Sequence, residues 1–402
     1  MPAQPLKGIR VLDLSRVLAG PWCSQQLADL GAEVLKIERP HEGDDTRRWG
    51  PPWLGDTQEA AYYLSTNRGK QSVTIDMATP EGQQLLHELV KHCDVVLENF
   101  KVGGLKKYHL DYDSLKAIKP DLIYCSITGF GQDGPYAERA GYDFMIQGMG
   151  GLMSLTGKPD AEGGEPVKVG VAFVDIFTGL YAANAIMAAL WQRERTKQGV
   201  YIDLALLDVQ VGVLANQALN YLTSGHAPQR LGNAHPNIVP YQAFATQDGH
   251  IILAVGNDTQ FKRFCEVAGQ PAIGQDARFS SNALRVENRQ VLVPMIQQLM
   301  TQKTTAQWLQ ALETVGVPCG PINTLDQVFA DPQVQHRGVE LHYAHPLVDE
   351  VKLVSNPIRF DGEALNAPVP PPLLGEHTSE VLKRLLQLDA AELAALRAKK
   401  VI

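Results

Sequence analysis

Apolar and polar positions follow two periods along the first half of the chain. Residues 10–14, 33–37 and 72–76 are short apolar runs of strand length, and residues 21–30 carry a helical stripe that Gly31 ends. Thr79 and Pro80 then stand as N-cap and first helical residue, with Leu85, Leu86, Leu89 and Val90 at helical spacing behind them. Two more runs, 94–97 and 122–126, enclose a helical segment over 113–118. This βαβα alternation predicts an α/β protein whose large domain is a Rossmann-like, largely parallel sheet covered by helices.

The pattern changes after Gly148, Gly150 and Gly151. A long apolar segment spans 176–191, with Arg193 and Arg195 where a helix C-terminus favours cations. A strand over 201–206 and a helix over 208–222 follow, then a linker rich in Gly, Pro, Asn and His over 223–240. Residues 241–246 and 250–255 flank Asp248 and Gly249, which predicts a hairpin. Helices over 259–268, 285–300 and 305–315 complete a smaller α+β domain. The expected division is a large α/β domain over 1–224, a small α+β domain over 225–330, and a C-terminal segment over 331–402. That last segment, with strand fragments, a proline run and two amphipathic helices, is expected to return to the large domain.

Length and composition bound the possibilities. A chain of 402 residues with 45% hydrophobic and 20% charged residues can bury more than one core. Its formal net charge of −8 argues against a general nucleic-acid binder while leaving room for a local basic pocket. There is no uninterrupted apolar run of bilayer length and no leader-like N-terminus, so no membrane partner is expected. Five dispersed cysteines without a Cys-x-x-Cys pair suit reduced thiols better than a disulfide framework or a metal site, and the expected location is the cytoplasm.

Several motifs carry little. The glycines at 148, 150 and 151 follow no strand and lack dinucleotide spacing, and there is no P-loop, nucleophile elbow or paired-histidine helix. His235 sits in a Gly232-Asn233-Ala234-His235-Pro236 loop and reads first as loop structure, with a ligand or base as the alternative. Cys125, inside an expected buried strand, reads as a core residue. Asp175 directly precedes the long apolar helix, where an aspartate can serve simply as an N-cap.

Other segments are specific in combination. They are Leu12-Asp13-Leu14-Ser15-Arg16-Val17-Leu18-Ala19-Gly20-Pro21, Val34-Leu35-Lys36-Ile37-Glu38-Arg39-Pro40 with Gly43-Asp44, and Glu98-Asn99-Phe100. Gly129-Phe130-Gly131, Ala140-Gly141-Tyr142-Asp143, Gly316-Val317-Pro318 and Leu373-Leu374-Gly375-Glu376-His377-Thr378 follow in order. Together they resemble the class III CoA-transferases, the CaiB/BaiF group, over essentially the full length. The match is nearest to the succinate–hydroxymethylglutarate (glutarate) type through Gln229-Arg230-Leu231-Gly232, residues 238–244, Gly320-Pro321-Ile322-Asn323 and Arg337-Gly338.

The resemblance implies an enzyme that moves CoA between an acyl-CoA thioester and a free short-chain acid, most suitably a dicarboxylic acid. It implies Asp175 as the nucleophile, forming an aspartyl anhydride and then an aspartyl-CoA thioester. A helix N-terminus beside Asp175 is expected to keep it ionised and to offer oxyanion donors. The family's CoA contacts fall on Val17, Arg39, Ile75, Asn99 and Lys107; Lys101 and Arg139 join them on charge and neighbourhood. Arg16, Tyr142 and His235 are candidates to grip the distal carboxylate, Arg16 because its planar fork matches a carboxylate. No metal and no permanently bound cofactor is required, CoA thioester being a substrate. Partners are the acyl-CoA, a small carboxylic acid and a second copy of the chain in an interlocked homodimer. Glycine loops at 148–151 or residues 230–235 are expected covers for the site.

Three alternatives remain beside this. A formyl/oxalate-type transferase is disfavoured by Leu18 where that branch carries glutamine and by the lack of its glycine run. A 2-methylacyl-CoA racemase would need histidine where Tyr142 stands, and a phenol near ~10 replaces an imidazole near ~6.5 poorly as an acid–base partner. A non-catalytic CoA-binding protein is the third.

Overall fold

The structure is a computed structural model that describes residues 4–402. Six parallel strands, β1 (Arg10–Asp13), β2 (Glu33–Glu38), β3 (Lys70–Thr74), β4 (Val95–Glu98), β5 (Ile123–Thr128) and β6 (Val200–Ala205), form one sheet. Their order is β3-β2-β1-β4-β5-β6, the doubly wound arrangement that the alternation of elements predicts. Side chains alternate between two covered faces. Val11, Val95, Leu97, Ile123, Cys125 and Ile127 pack toward α1 (Ala19–Asp29) and the long apolar helix Phe173–Thr196. Leu12, Val96 and Tyr124 pack on the other face with Leu86, Leu89, Leu115, Val381 and Leu393. A parallel sheet buried on both faces favours apolar strands, as at the centres of β1, β4 and β5, while buried polar residues such as Asp13, Lys36, Glu38 and Lys70 gather on β1, β2 and β3.

The remaining helices of this part are α2 (Ala61–Leu64), α3 (Pro80–Lys91), α4 (Tyr112–Ile118), α5 (Asp143–Met149) and α6 (Leu152–Leu155). After them come α7, the Phe173–Thr196 helix, α8 (Leu206–Gly212) and α9 (Asn216–Ser224). Thr79 caps α3 through Gly82 N, with Pro80 at its start. At α7 the chains approach closely: a Cβ on Gly179 would lie 2.6 Å from the Ala19 carbonyl, so only glycine lets α1 and α7 cross here. By length and hydropathy α7 is apolar enough to cross a bilayer, yet Val174, Ala182, Ala183, Ile186 and Leu190 are buried in the sheet's core.

Two helices expected to be continuous are broken. The 208–222 segment becomes α8 and α9, separated at Ala215, whose φ of 47° leaves the helical region. The 285–300 segment splits at Asn288, where the Nδ2 amide donates to the Leu284 and Arg278 carbonyls and competes with helix continuation.

The described residues divide into two compact units. One gathers residues up to Leu152, Lys168–Leu222 and Pro332–Ile402; the other gathers Met153–Val167 and Thr223–Asp331. The C-terminal segment is tied into the first unit by Asp76 N donating to the Val401 carbonyl and Thr74 N donating to Thr378. In the second unit β7 (Tyr241–Ala245) and β8 (His250–Ala254) form the expected hairpin, and Cys319–Pro321 adds an edge strand. Phe244, Phe261, Phe264, Phe279, Trp308 and their neighbours make its core.

Candidate active site

The strand order reverses between β1 and β4, and the carboxyl ends of those two strands open a crevice where ligands of doubly wound sheets bind. Residues after β1 and after β4 meet there. Asn99 holds the Arg16 backbone with both ends of its amide, accepting from Arg16 N at 2.9 Å and donating to the Arg16 carbonyl at 2.7 Å. The Arg16 guanidinium stands over the Phe100 ring and pairs with Asp45 at 3.1 Å.

A cavity of about 670 Å³ occupies this crevice. Arg16, Val17, Asn99, Lys101, Lys107, Arg139, Tyr142 and Asp175 all line it. Eight of the residues singled out in the sequence thus converge from four separate stretches of chain. Arg39 and Ile75 line an adjoining cavity of about 300 Å³, which shares Arg16, Asp45, Phe100 and Tyr108 with the first. Arg39 is exposed and pairs with Glu42 at 2.9 Å. His235 belongs to the second unit, where its Nδ1 accepts from Asn237 N at 3.1 Å and its ring meets Tyr241 edge-on. Burial and then Arg289 lower its pKa, so near neutral pH it offers a hydrogen bond rather than a positive charge.

Asp175 is not the cap of α7. The helix begins at Phe173 with Ala172 before it, and Asp175 lies in the first turn. Asp143 takes the capping role from a different helix: its Oδ1 accepts from Val174 N at 2.8 Å and Asp175 N at 3.4 Å. Its Oδ2 accepts from Gln147 Nε2 at 2.7 Å, and Gln147 in turn accepts from Val169 N. The loop bearing Asp143 reaches this place because Gly129 and Gly141 touch. A Cβ on Gly141 would lie 2.3 Å from the Gly129 Cα.

This arrangement corrects the expected electrostatics. The helix N-terminus does not hold Asp175 in its ionised form at low pH, because Asp143 already occupies the first N–H groups and adds a negative charge. Burial first, and the Asp143 charge second, push the Asp175 carboxyl up to about 7. Near neutrality both the acid and the carboxylate are populated, and a carboxylate so poorly hydrated is a better nucleophile than one in bulk water.

Two residues near Asp175 escaped the sequence reading. Asp143 lay inside a recognised motif, but nothing local links it to a helix 30 residues further on. Burial of Tyr62, on α2, and then the Asp175 and Asp143 charges push its phenol up to about 12, so it stays a hydrogen-bond donor. Its ring lies edge-on to Trp49, another wall of the cavity. No local pattern in the sequence marks either aromatic residue. Among the described residues no group of three or more His, Cys, Asp or Glu side chains could hold a metal ion.

Comparison with known proteins agrees with this geometry. Over 389 residues the chain is 52% identical to the succinate–glutarate CoA-transferase of Agrobacterium fabrum, covering 96% of each chain. It is 44% identical over 399 residues to the human succinyl-CoA:glutarate CoA-transferase, covering 99% of this chain and 90% of that one. A crystal structure of a CaiB/BaiF family protein from Brucella suis superposes with a TM-score of 0.83 at 53% identity, covering 95% of this chain and all of the other. Residues 6–378 match CoA-transferase family III, and with a doubly wound sheet, a basic crevice at its switch point and an aspartate on the crevice wall, the chain belongs to that family of CoA-transferring enzymes.

Proposed function

We propose that this enzyme exchanges CoA between succinate and a short dicarboxylic acid such as glutarate, with Asp175 as the covalent carrier. The observation that carries the reading is the Asp175 side chain on the wall of a cavity whose other sides bring Arg16, Lys101, Lys107 and Arg139. Relatives named for the succinate–glutarate pair at 52% and 44% identity support the substrate class.

The Asp175 carboxylate attacks the acyl carbon of the donor thioester, the C–S bond breaks, and CoA leaves as thiolate. The thiolate attacks the aspartyl carbonyl of the resulting anhydride and releases the donor acid as carboxylate. An acceptor carboxylate then attacks the aspartyl-CoA thioester, and the expelled thiolate takes the acceptor's acyl group from the new anhydride. No proton is gained or lost overall, and Asp175 ends as it began. Arg16 grips the distal carboxylate, competing with the exposed Asp45 for the same guanidinium. Val17, Asn99, Lys101, Lys107 and Arg139 hold the CoA near Asp175, and Arg39 and Ile75 extend that contact into the adjoining cavity.

Self-association belongs to the same reading. Leu180, Tyr181 and Trp191 stand exposed on α7, and Leu219, Tyr221 and Leu222 on α9, an apolar surface that a second copy would cover. Unfolding should then depend on protein concentration.

Asp175→Ala should lower transfer from succinyl-CoA to glutarate by at least ~10³-fold while CoA still binds, since a covalent route is removed. Hydroxylamine added with succinyl-CoA should modify Asp175 alone. Wild-type turnover in the variant, or a trapped adduct elsewhere, refutes the assignment. Arg16→Gln should raise the KM for glutarate about ten-fold and leave a monocarboxylate acceptor unaffected, the loss of one charge-assisted carboxylate contact.

A further inference from the structure

The turn that brings Arg16 and Val17 into the cavity is held by side chains from elsewhere in the fold. Ser15 N donates to Asp13 Oδ1 at 2.9 Å, and the Ser15 carbonyl accepts from Lys36 Nζ at 3.1 Å. Asn99 takes both backbone groups of Arg16. Val17 N points at the two carboxylate oxygens of Asp44, each 3.3 Å away. Asp44 and Lys36 join each other at 2.8 Å, with both side chains fully buried. Thr46 supplies two further donors to Asp44, its N at 3.0 Å and its Oγ1 at 2.8 Å.

Val17 has a φ of 70°. A β-branched residue in the left-handed region is a genuine outlier, and such a conformation persists only where the surroundings over-determine it. Here the surroundings are Asp44 on the amide of Val17 and Lys36 on the carbonyl two residues earlier. Stability alone does not call for such a pair, because apolar residues of similar volume usually replace buried ions without loss. Neither residue lines the cavity that holds Asp175; both border the adjoining one, with their side chains fully buried beneath its wall.

We propose that the buried Asp44–Lys36 pair is a positioning device that clamps the Ser15, Arg16 and Val17 backbone in its left-handed form and so fixes where Arg16 and Val17 meet the substrates. The inference rests on the transferase reading above. Without the clamp Val17 relaxes toward an ordinary conformation, and Arg16, the next residue, is carried with it.

The test uses the full-length enzyme with succinyl-CoA and glutarate. Asp44→Asn retains the shape and removes the charge; in a folded variant, both KM values should rise about ten-fold or more with kcat within about three-fold, the scale of one misplaced charge-assisted hydrogen bond. Because glycine enters the left-handed region without penalty, Asp44→Asn should raise KM several-fold less in a Val17→Gly background, measured against Val17→Gly alone, than in the wild type, and that difference is the recovery. A merely structural role would lower the melting temperature and leave KM unmoved, and a second glycine substitution would not repair it. Unchanged KM in folded Asp44→Asn, or no recovery on adding Val17→Gly, overturns the proposal. Should Asp44→Asn fail to fold, the double variant must regain folding; if it does not, the clamp is refuted. A wild-type enzyme without any transfer defeats the parent reading, whereas active wild type with unmoved KM values defeats the clamp alone.

Discussion

Asp44 and Asp175 are aspartates withdrawn from water at the same end of one sheet, and their surroundings drive them in opposite directions. Burial disfavours the charge of both. At Asp44 the Lys36 ammonium and the Thr46 donors overcome that penalty and hold the carboxyl down at about 2. At Asp175 the nearest charge is another carboxylate, Asp143, and the carboxyl rises to about 7. One residue type thus serves as a fixed ion in a clamp and as a group poised between acid and base. The difference lies wholly in what each faces, as expected where sites tune carboxylates by burial and neighbouring charge.

The contrast can be broken from either side, and the largest effect should come from the clamp. Lys36→Met leaves Asp44 buried without its cation, and urea unfolding at pH 7 should show a loss of about 3–5 kcal/mol, the usual result of stranding one member of a buried pair. A loss below ~1 kcal/mol would mean that the Thr46 and Val17 donors satisfy Asp44 without the cation. At the other aspartate, transfer should rise with pH around an apparent midpoint near 7, as the Asp175 carboxylate forms. Asp143→Asn removes the neighbouring negative charge and should move that midpoint down, measured as the pH profile of kcat/KM; an unmoved midpoint would assign the shift to burial alone.

The remaining effects are changes of stability with pH, and they carry opposite signs. Asp175 has a folded pKa above its unfolded one, so its contribution is fully present below pH ~4 and is lost as pH rises through 7. Asp175→Asn should therefore melt above the wild type at pH 8, with the gap shrinking to nothing by pH 4. Asp44 has a depressed pKa, so its contribution is present above pH ~4 and fades as pH falls toward 2. Opposite slopes for the two aspartates in a thermal melt series are the finest check on the comparison.

Much of the large unit was legible in the chain. Short apolar runs at β1, β2, β4 and β5, alternating with helical patterns, mark strands of a covered parallel sheet, and Thr79 with Pro80 marks the start of α3. The Asp248 and Gly249 hairpin was equally local. The breaks at Ala215 and Asn288 were not, because a run of helix-forming residues states a preference that a single backbone rotation overrides. The cap of α7 is hidden for a related reason. An aspartate at a helix start satisfies the local rule, whereas the actual cap came from Asp143 on another helix, admitted by the contact of Gly129 with Gly141.

What the sequence determined by itself was the alternation of elements, the strand-buried apolar runs, and an ordered set of motifs that named the family. These depend on periodicity and on residue identity, and both are properties of a string. Only the tertiary structure decided that Arg16, Lys101, Lys107, Arg139 and Asp175 share one cavity, that burial and then Asp143 lift the Asp175 carboxyl to about 7, and that Asp44 and Lys36 bond the backbone around Val17. Each of these is an interaction between charges or polar groups brought together by folding. Its strength is set by distance and burial, quantities that exist only once the chain has closed on itself.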